Sequence, residues 1–309
     1  MRNPTLPKLI SQGFELDASD ESFGLLRNSM DVIEDTGVLR ERMAEDGYLY
    51  LPGYLDRELV LEARASVTER LAAEGLTDPG YSADEAVAHP DSGLKFKPDL
   101  AHDNEPLHHL LYGGRMMQFY ERFLGGPVRH YDFTWMRAVA PGYGTQPHGD
   151  IVFMGRGTHD LYTAWTPLGD IDYQLGGLMI LEGSNRLENV REEYLSRDVD
   201  EYCKNVEGEE EHAKTNPEMH GWRWDGSVSD DPVELREQLG GRWLTAEYRA
   251  GDLLTFSTYT IHASLDNRSQ RIRLSSDSRY QLASEPADER WIGEAPVGHG
   301  PAGKRGRIC

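Results

Sequence analysis

The apolar positions of the chain change their period near Val128. Before it they recur mostly at helical spacing. After Asp56, a residue able to cap a helix, Leu59, Ala63, Val67 and Leu71 follow every four positions until Gly75 ends the run. That spacing gives a helix one apolar stripe with which to pack against a sheet. From Val128 onward, short runs of aromatic and β-branched residues are divided by Gly, Pro and Asp, the texture of an antiparallel barrel or sandwich. These runs predict strands near 128–139, 162–168, 178–181, 243–248, 253–256 and 271–280. A polar segment from Asn185 to Gly241 interrupts the series; its first part, 187–202, predicts a helix, and its later part carries Trp222 and Trp224. Two tryptophans in a polar segment need apolar company. A cover over the mouth of the barrel is the preferred reading, with a dimer contact or a satellite core as alternatives.

Composition narrows the setting. The 309 residues fit one domain, divided as a helical amino-terminal part over about 1–125, a β core over about 126–282 and a lid-like insertion over about 186–241. No apolar run approaches the roughly 18 to 20 residues of a spanning helix, and Met1 to Phe14 do not read as a secretory signal. Cys203 sits in a charged stretch and Cys309 is the last residue, a poor place for a structural staple, so neither is expected to act as nucleophile, metal ligand or cross-link. These features together place the protein in the cytoplasm. A formal charge of −21 repels phosphate backbones, which argues against nucleic acid as a partner. The acidity itself reads as solubility. Oligomeric state is left open.

The chemistry-bearing pattern is His148-Gly149-Asp150 with His262. In an extended segment alternate side chains share a face, so a His-x-Asp triplet offers an imidazole and a carboxylate together. One more His from a distant strand completes a facial triad with three open metal positions, whereas a closed zinc site needs a fourth protein ligand. A second triplet, His89-Pro90-Asp91, lies in a turn-rich stretch and reads as a loop. The first precedes Ile151-Val152-Phe153 and stands inside the β region. Downstream, the chain turns at Gly251-Asp252, presents His262, turns again at Asp266-Asn267 and returns with Arg271 and Arg273 on one face. A guanidinium beside a metal can hold a carboxylate through two parallel hydrogen bonds. Arg271 reads as a surface charge. The remaining histidines, His108, His109, His220 and His299 among them, lack a partner at ligand spacing. Arg137, Arg156 and Arg279 admit an anionic small molecule, although salt bridging to the abundant acids is the preferred reading.

These motifs resemble the phytanoyl-CoA dioxygenase family of Fe(II)/2-oxoglutarate oxygenases. Asp46-Gly47-Tyr48-Leu49-Tyr50-Leu51-Pro52-Gly53 looks like the family's amino-terminal strand, and Ala164-Trp165-Thr166-Pro167-Leu168 and Gly176-Gly177-Leu178-Met179-Ile180-Leu181-Glu182-Gly183-Ser184 resemble its stretch after the metal triplet. The resemblance implies a mainly β fold, a double-stranded β-helix or jelly-roll core with amino-terminal helices packed against it. It implies iron at His148, Asp150 and His262, a 2-oxoglutarate carboxylate at Arg273, and Ser264 and Trp165 lining the cosubstrate pocket. The activity implied is O₂-dependent oxidation of an unactivated C–H bond of a small molecule, with succinate and CO₂ as coproducts. A redox-inactive metal-binding barrel is the alternative, and it has no use for Arg273. Where the family usually has His, this chain has Asn185.

Overall fold

A computed structural model of the chain describes residues 6–215 and 218–309. Two sheets face each other as a jelly roll. The larger runs in the order Tyr48–Leu51, Leu253–Ser257, Tyr162–Pro167, Arg273–Leu282 and Val128–His130, and Trp135–Val139 also pairs with Arg273–Leu282. All its pairings are antiparallel. The smaller sheet runs His262–Ser264, Leu178–Leu181, Trp243–Thr245 and Phe23–Leu25, the last pair parallel. Two of these strands come from the mainly helical amino-terminal part: Tyr48–Leu51 is the strand that the resemblance implied, Phe23–Leu25 was not expected, and each covers the edge of a neighbouring strand.

Side-chain alternation builds three apolar layers. Leu178 and Ile180 point between the sheets, where they meet Trp165, Leu254, Phe256 and Tyr248. Their neighbours Met179 and Leu181 point outward, to a layer closed by Leu9, Leu16 and the insertion residues Val190, Tyr194 and Leu195. On the outer face of the larger sheet, Leu253, Ala164, Leu274 and Met136 pack under the helices Thr36–Asp46, Arg57–Ala73, Glu105–Tyr112 and Gly114–Leu124. The helix Arg57–Ala73 is capped by the Asp56 carboxylate on the amide of Glu58, and it buries Val60, Ala63, Val67 and Leu71. Asn185, where the family pattern has His, donates to the Ala44 carbonyl and packs on Gly47. Its role is to seat the first long helix.

Two expectations are corrected. The helix anticipated over 187–202 spans only Glu188–Glu193, after which Asp198 and Asp200 are drawn into a buried charge cluster and Glu201–Cys203 becomes a strand. The cysteines are not idle: Cys203 and Cys309 form a disulfide, their α-carbons 5.5 Å apart. The carboxy-terminal tail folds back over the body, and its strand Arg305–Arg307 pairs in parallel with Glu201–Cys203. Return of the tail is what makes the last residue a staple, and it removes the cysteine argument for a cytoplasmic setting. Among the described residues no helix is long and apolar enough to cross a membrane.

Candidate metal centre and the pocket above it

His148, Asp150 and His262 converge at the mouth of the jelly roll, each offering one ligand atom within 4.8 Å of the others. His148 and His262 face each other through a two-way backbone bridge, each amide donating 2.9 Å to the other's carbonyl. Asp150 does not continue a strand, as the alternation argument assumed; it has helical dihedrals and opens the short helix Ile151–Met154. The carboxylate reaches the imidazoles through a strand-to-helix turn. Gly149 is required by close approach, since a β-carbon there meets Leu195 Cδ2 at 2.5 Å. Its amide donates to the Tyr194 hydroxyl, 3.0 Å.

Hydrogen bonds aim the ligand atoms. The Nδ1 atoms of His148 and His262 lie 2.8 and 3.0 Å from the carbonyl oxygens of Gln146 and Thr260. Because carbonyls only accept, both Nδ1 atoms carry the proton, and both Nε2 atoms present lone pairs. Each Nε2 sits 3.8 Å from Asp150 Oδ1. The other oxygen, Oδ2, accepts from Arg279 Nη2 at 2.9 Å and from the Thr163 hydroxyl. One carboxylate oxygen is thus occupied by protein donors, and the other is left facing the two imidazoles, where it could serve a metal. Burial pushes His148 down to about 3, with His262 adding to the effect. His262 is lowered by burial as well. Burial opposes ionisation of Asp150, but Arg279 and the two imidazoles outweigh it and hold its carboxyl below the usual range. Neutral imidazoles and an ionised carboxylate are the protonation states a divalent cation needs.

Arg273 lies on the inner face of its strand at 2% exposure. Its Nη1 donates to the Gly176 carbonyl at 2.9 Å, and its buried Nε has no partner. Among the described residues it forms no ion pair, and burial lowers its pKa to about 10, assisted by Arg137. Arg271, two residues earlier, is exposed beyond the end of the strand. Ser264 faces inward two positions from His262, and its Oγ accepts the Thr145 amide at 2.8 Å, which leaves its own proton free to donate. Trp165 is buried between the sheets, 4.6 Å from the Tyr248 ring.

Above the metal cluster opens a cavity of about 240 Å³. His148, Asp150, Arg137 and Arg279 lie along its floor, and Phe96, Trp135 and Phe153 form its walls. The insertion supplies Trp222, Asp225 and Ser227, and the tail supplies His299. The segment over 186–241 therefore covers part of the mouth while Trp224 serves a second purpose, packing on Tyr194 under the Arg197 guanidinium. Arg137, Arg156 and Arg279 all pair with acids, namely Asp277, Asp198 and Asp150. Arg156 lies outside the cavity lining. Nothing in the sequence singled out Thr163, and His299 was expected only to be no metal ligand, because neither carries a motif: their relevance depends on which residue they touch.

A jelly roll with two imidazoles and one carboxylate at its mouth is the architecture of a non-haem oxygenase, and the comparisons with known proteins give the same class. Residues 43–275 match the family model of phytanoyl-CoA dioxygenase (PhyH), and the chain belongs to this family of oxygenases. The 1-deoxypentalenic acid 11-beta-hydroxylase of Streptomyces exfoliatus is 29% identical over 273 residues, 82% of this chain and 86% of that enzyme. Among solved structures, the epimerase SnoN in complex with Fe3+, alpha ketoglutarate and nogalamycin RO aligns with a TM-score of 0.55 at 21% identity, covering 85% of this chain and 93% of that one. EctD from S. alaskensis aligns with a TM-score of 0.57 at 15% identity, over 97% and 98% of the two chains. These structural likenesses are likenesses of fold.

Proposed function

We propose that the chain is an Fe(II)- and 2-oxoglutarate-dependent hydroxylase that oxidises an unactivated C–H bond of a small molecule. His148, Asp150 and His262 hold the iron. Arg273 grips the far carboxylate of 2-oxoglutarate, with Ser264 and Trp165 lining that pocket. The observation that carries the reading is the Arg273 guanidinium: it is buried, its Nε is unpartnered and among the described residues it forms no ion pair, in a chain that also brings a complete facial triad together. A buried cation without a direct ion-pair partner is costly, and a carboxylate ligand supplies one. A purely metal-binding barrel gives no reason for it.

When bound, iron and 2-oxoglutarate supply an O₂-dependent oxidation that releases succinate and CO₂. The chain's own residues do the rest. The Gln146 and Thr260 carbonyls fix the tautomers of the two histidines. Arg279 and Thr163 occupy Asp150 Oδ2, so that Oδ1 alone faces the metal. Phe96, Trp135, Phe153 and Trp222 keep water from the reacting carbon. Hydroxylation is favoured as the outcome by the named activity of the Streptomyces relative.

The test is release of succinate from 2-oxoglutarate by the purified chain with Fe(II) in air, measured against the His262→Ala variant. The expected result is turnover in the parent chain and none in the variant. Metal binding without any 2-oxoglutarate binding or turnover would instead establish the redox-inactive barrel.

A further inference from the structure

The roof of the pocket is built from two segments that meet at one buried carboxylate. Asp200, in the insertion, accepts four hydrogen bonds: from Trp222 Nε1 at 2.8 Å, from His299 Nδ1 at 2.8 Å, from Lys304 and from Arg290. Three of these partners, Trp222, Lys304 and Arg290, can only donate. The carboxylate that receives them is therefore ionised, and the fourth contact must also be a donation, from His299 Nδ1–H. In a neutral imidazole the opposite nitrogen, Nε2, then carries a lone pair. No protein group hydrogen-bonds that nitrogen among the described residues, and His299 lines the cavity.

The surroundings of His299 hold the ring in place. Trp222 and Trp291 stand edge-on to it, with centroids 4.8 and 4.7 Å away, and Phe153 lies at 5.9 Å. Trp222 spends its only donor on Asp200, so it offers the cavity an apolar face. The ring is tethered at one nitrogen, packed on its flanks and unpartnered at the other nitrogen. Burial, with Arg290 and His220 adding to it and Asp200 opposing, keeps its pKa below that of a free histidine. His299 lies in the carboxy-terminal tail, outside the 43–275 span that the family model matches.

We infer that His299 is a specificity-determining residue whose Nε2 accepts a hydrogen bond from a hydroxyl on a compact, mainly apolar substrate held between the aromatic walls and the metal. The inference rests on the oxygenase reading of this pocket. A cavity of about 240 Å³ suits a small skeleton. A site built around one acceptor discriminates against an analogue with a carbonyl in place of the hydroxyl, because two acceptors are then left facing each other.

Borneol and camphor share one bicyclic skeleton and differ in a hydroxyl against a carbonyl. Their binding to the full chain is measured by ligand-observed NMR, with and without Mn(II) and 2-oxoglutarate. Borneol is expected to bind roughly three- to ten-fold more tightly than camphor, and His299→Phe is expected to abolish the difference. In wild-type protein labelled with ¹⁵N-histidine, the His299 Nε2 resonance is expected to be that of an unprotonated nitrogen, and to shift with borneol but not with camphor. Equal binding of the two probes, binding of neither, persistence of the preference in His299→Phe, or a protonated Nε2 in the free protein each overturns the inference. Failure of the oxygenase reading shows separately, as absent binding of Mn(II) and 2-oxoglutarate.

Discussion

Replacing Arg273 by Met separates a ligand-gripping residue from a structural one, because the two roles predict opposite signs for stability. Burial lowers the Arg273 pKa from its usual value to about 10, which corresponds to a destabilisation of the charged form by about 3 kcal/mol. Against this stands one hydrogen bond, from Nη1 to the Gly176 carbonyl at 2.9 Å. Losing that bond costs from about 1 to 3 kcal/mol, depending on how far the carbonyl finds another donor. A methionine fills similar volume without charge, so the metal-free, cosubstrate-free variant is expected to range from unchanged to about 2 kcal/mol more stable. For a chain of 309 residues the unfolding entropy is roughly 0.65 kcal/mol per degree, so the midpoint moves from zero to about 3 °C upward. Breaking a paired buried charge would instead lower it by roughly 5 to 8 °C. Calorimetry on chelated protein reads the sign. Titration of the Mn(II)-loaded variant with 2-oxoglutarate reads the function: two lost charge-assisted bonds weaken binding by about a hundred-fold or more, while metal affinity is kept. A midpoint several degrees below wild type, or unchanged 2-oxoglutarate affinity, refutes the reasoning.

Two further outcomes follow from the charge and cross-link pattern. His148 titrates near 3 in the folded, metal-free chain against about 6.5 unfolded, so the unfolded state binds the proton first. Stability of chelated protein is therefore expected to fall as pH drops from about 6.5 toward 3, by up to roughly 1.4 kcal/mol per pH unit from this group; denaturant midpoints across that range should show a shallower slope in His148→Gln, and identical slopes would contradict the burial of His148 as a neutral imidazole. Cys203 and Cys309 close a loop with a sequence separation of 106, for which chain entropy gives roughly 4 to 5 kcal/mol. Reduction, or Cys309→Ser, is expected to raise hydrogen exchange in 298–309 and 201–203 while the strands around His148 and His262 stay protected; unchanged exchange in the tail would show that the charge cluster alone holds it.

What the sequence discloses, and what it hides, divides along a physical line. The jelly roll was legible where alternation is apolar on both faces, as in Leu178–Leu181, whose four residues serve two cores in turn. The triad was legible because two ligands are neighbours in the chain and the third lies in a turn-bounded strand, although Asp150 reaches its place through a helical turn and not through strand alternation. Arg273–Leu282 is harder to read: Arg273, Ser275, Asp277 and Arg279 are polar yet buried on the inner face of a central strand, and only Arg279 among them lines the cavity. Least legible was the roof. Asp200 sits 99 residues before His299 and 104 before Lys304, and no local period connects them. A buried carboxylate must be paid for by donors from wherever the fold can bring them, and here it collects them from the insertion and the tail at once. The metal cluster at the floor of the pocket is therefore written in a local motif, whereas the ceiling is written in contacts between segments that carry no motif, so kinship to a hydroxylase points to a class of reaction well before it points to a substrate.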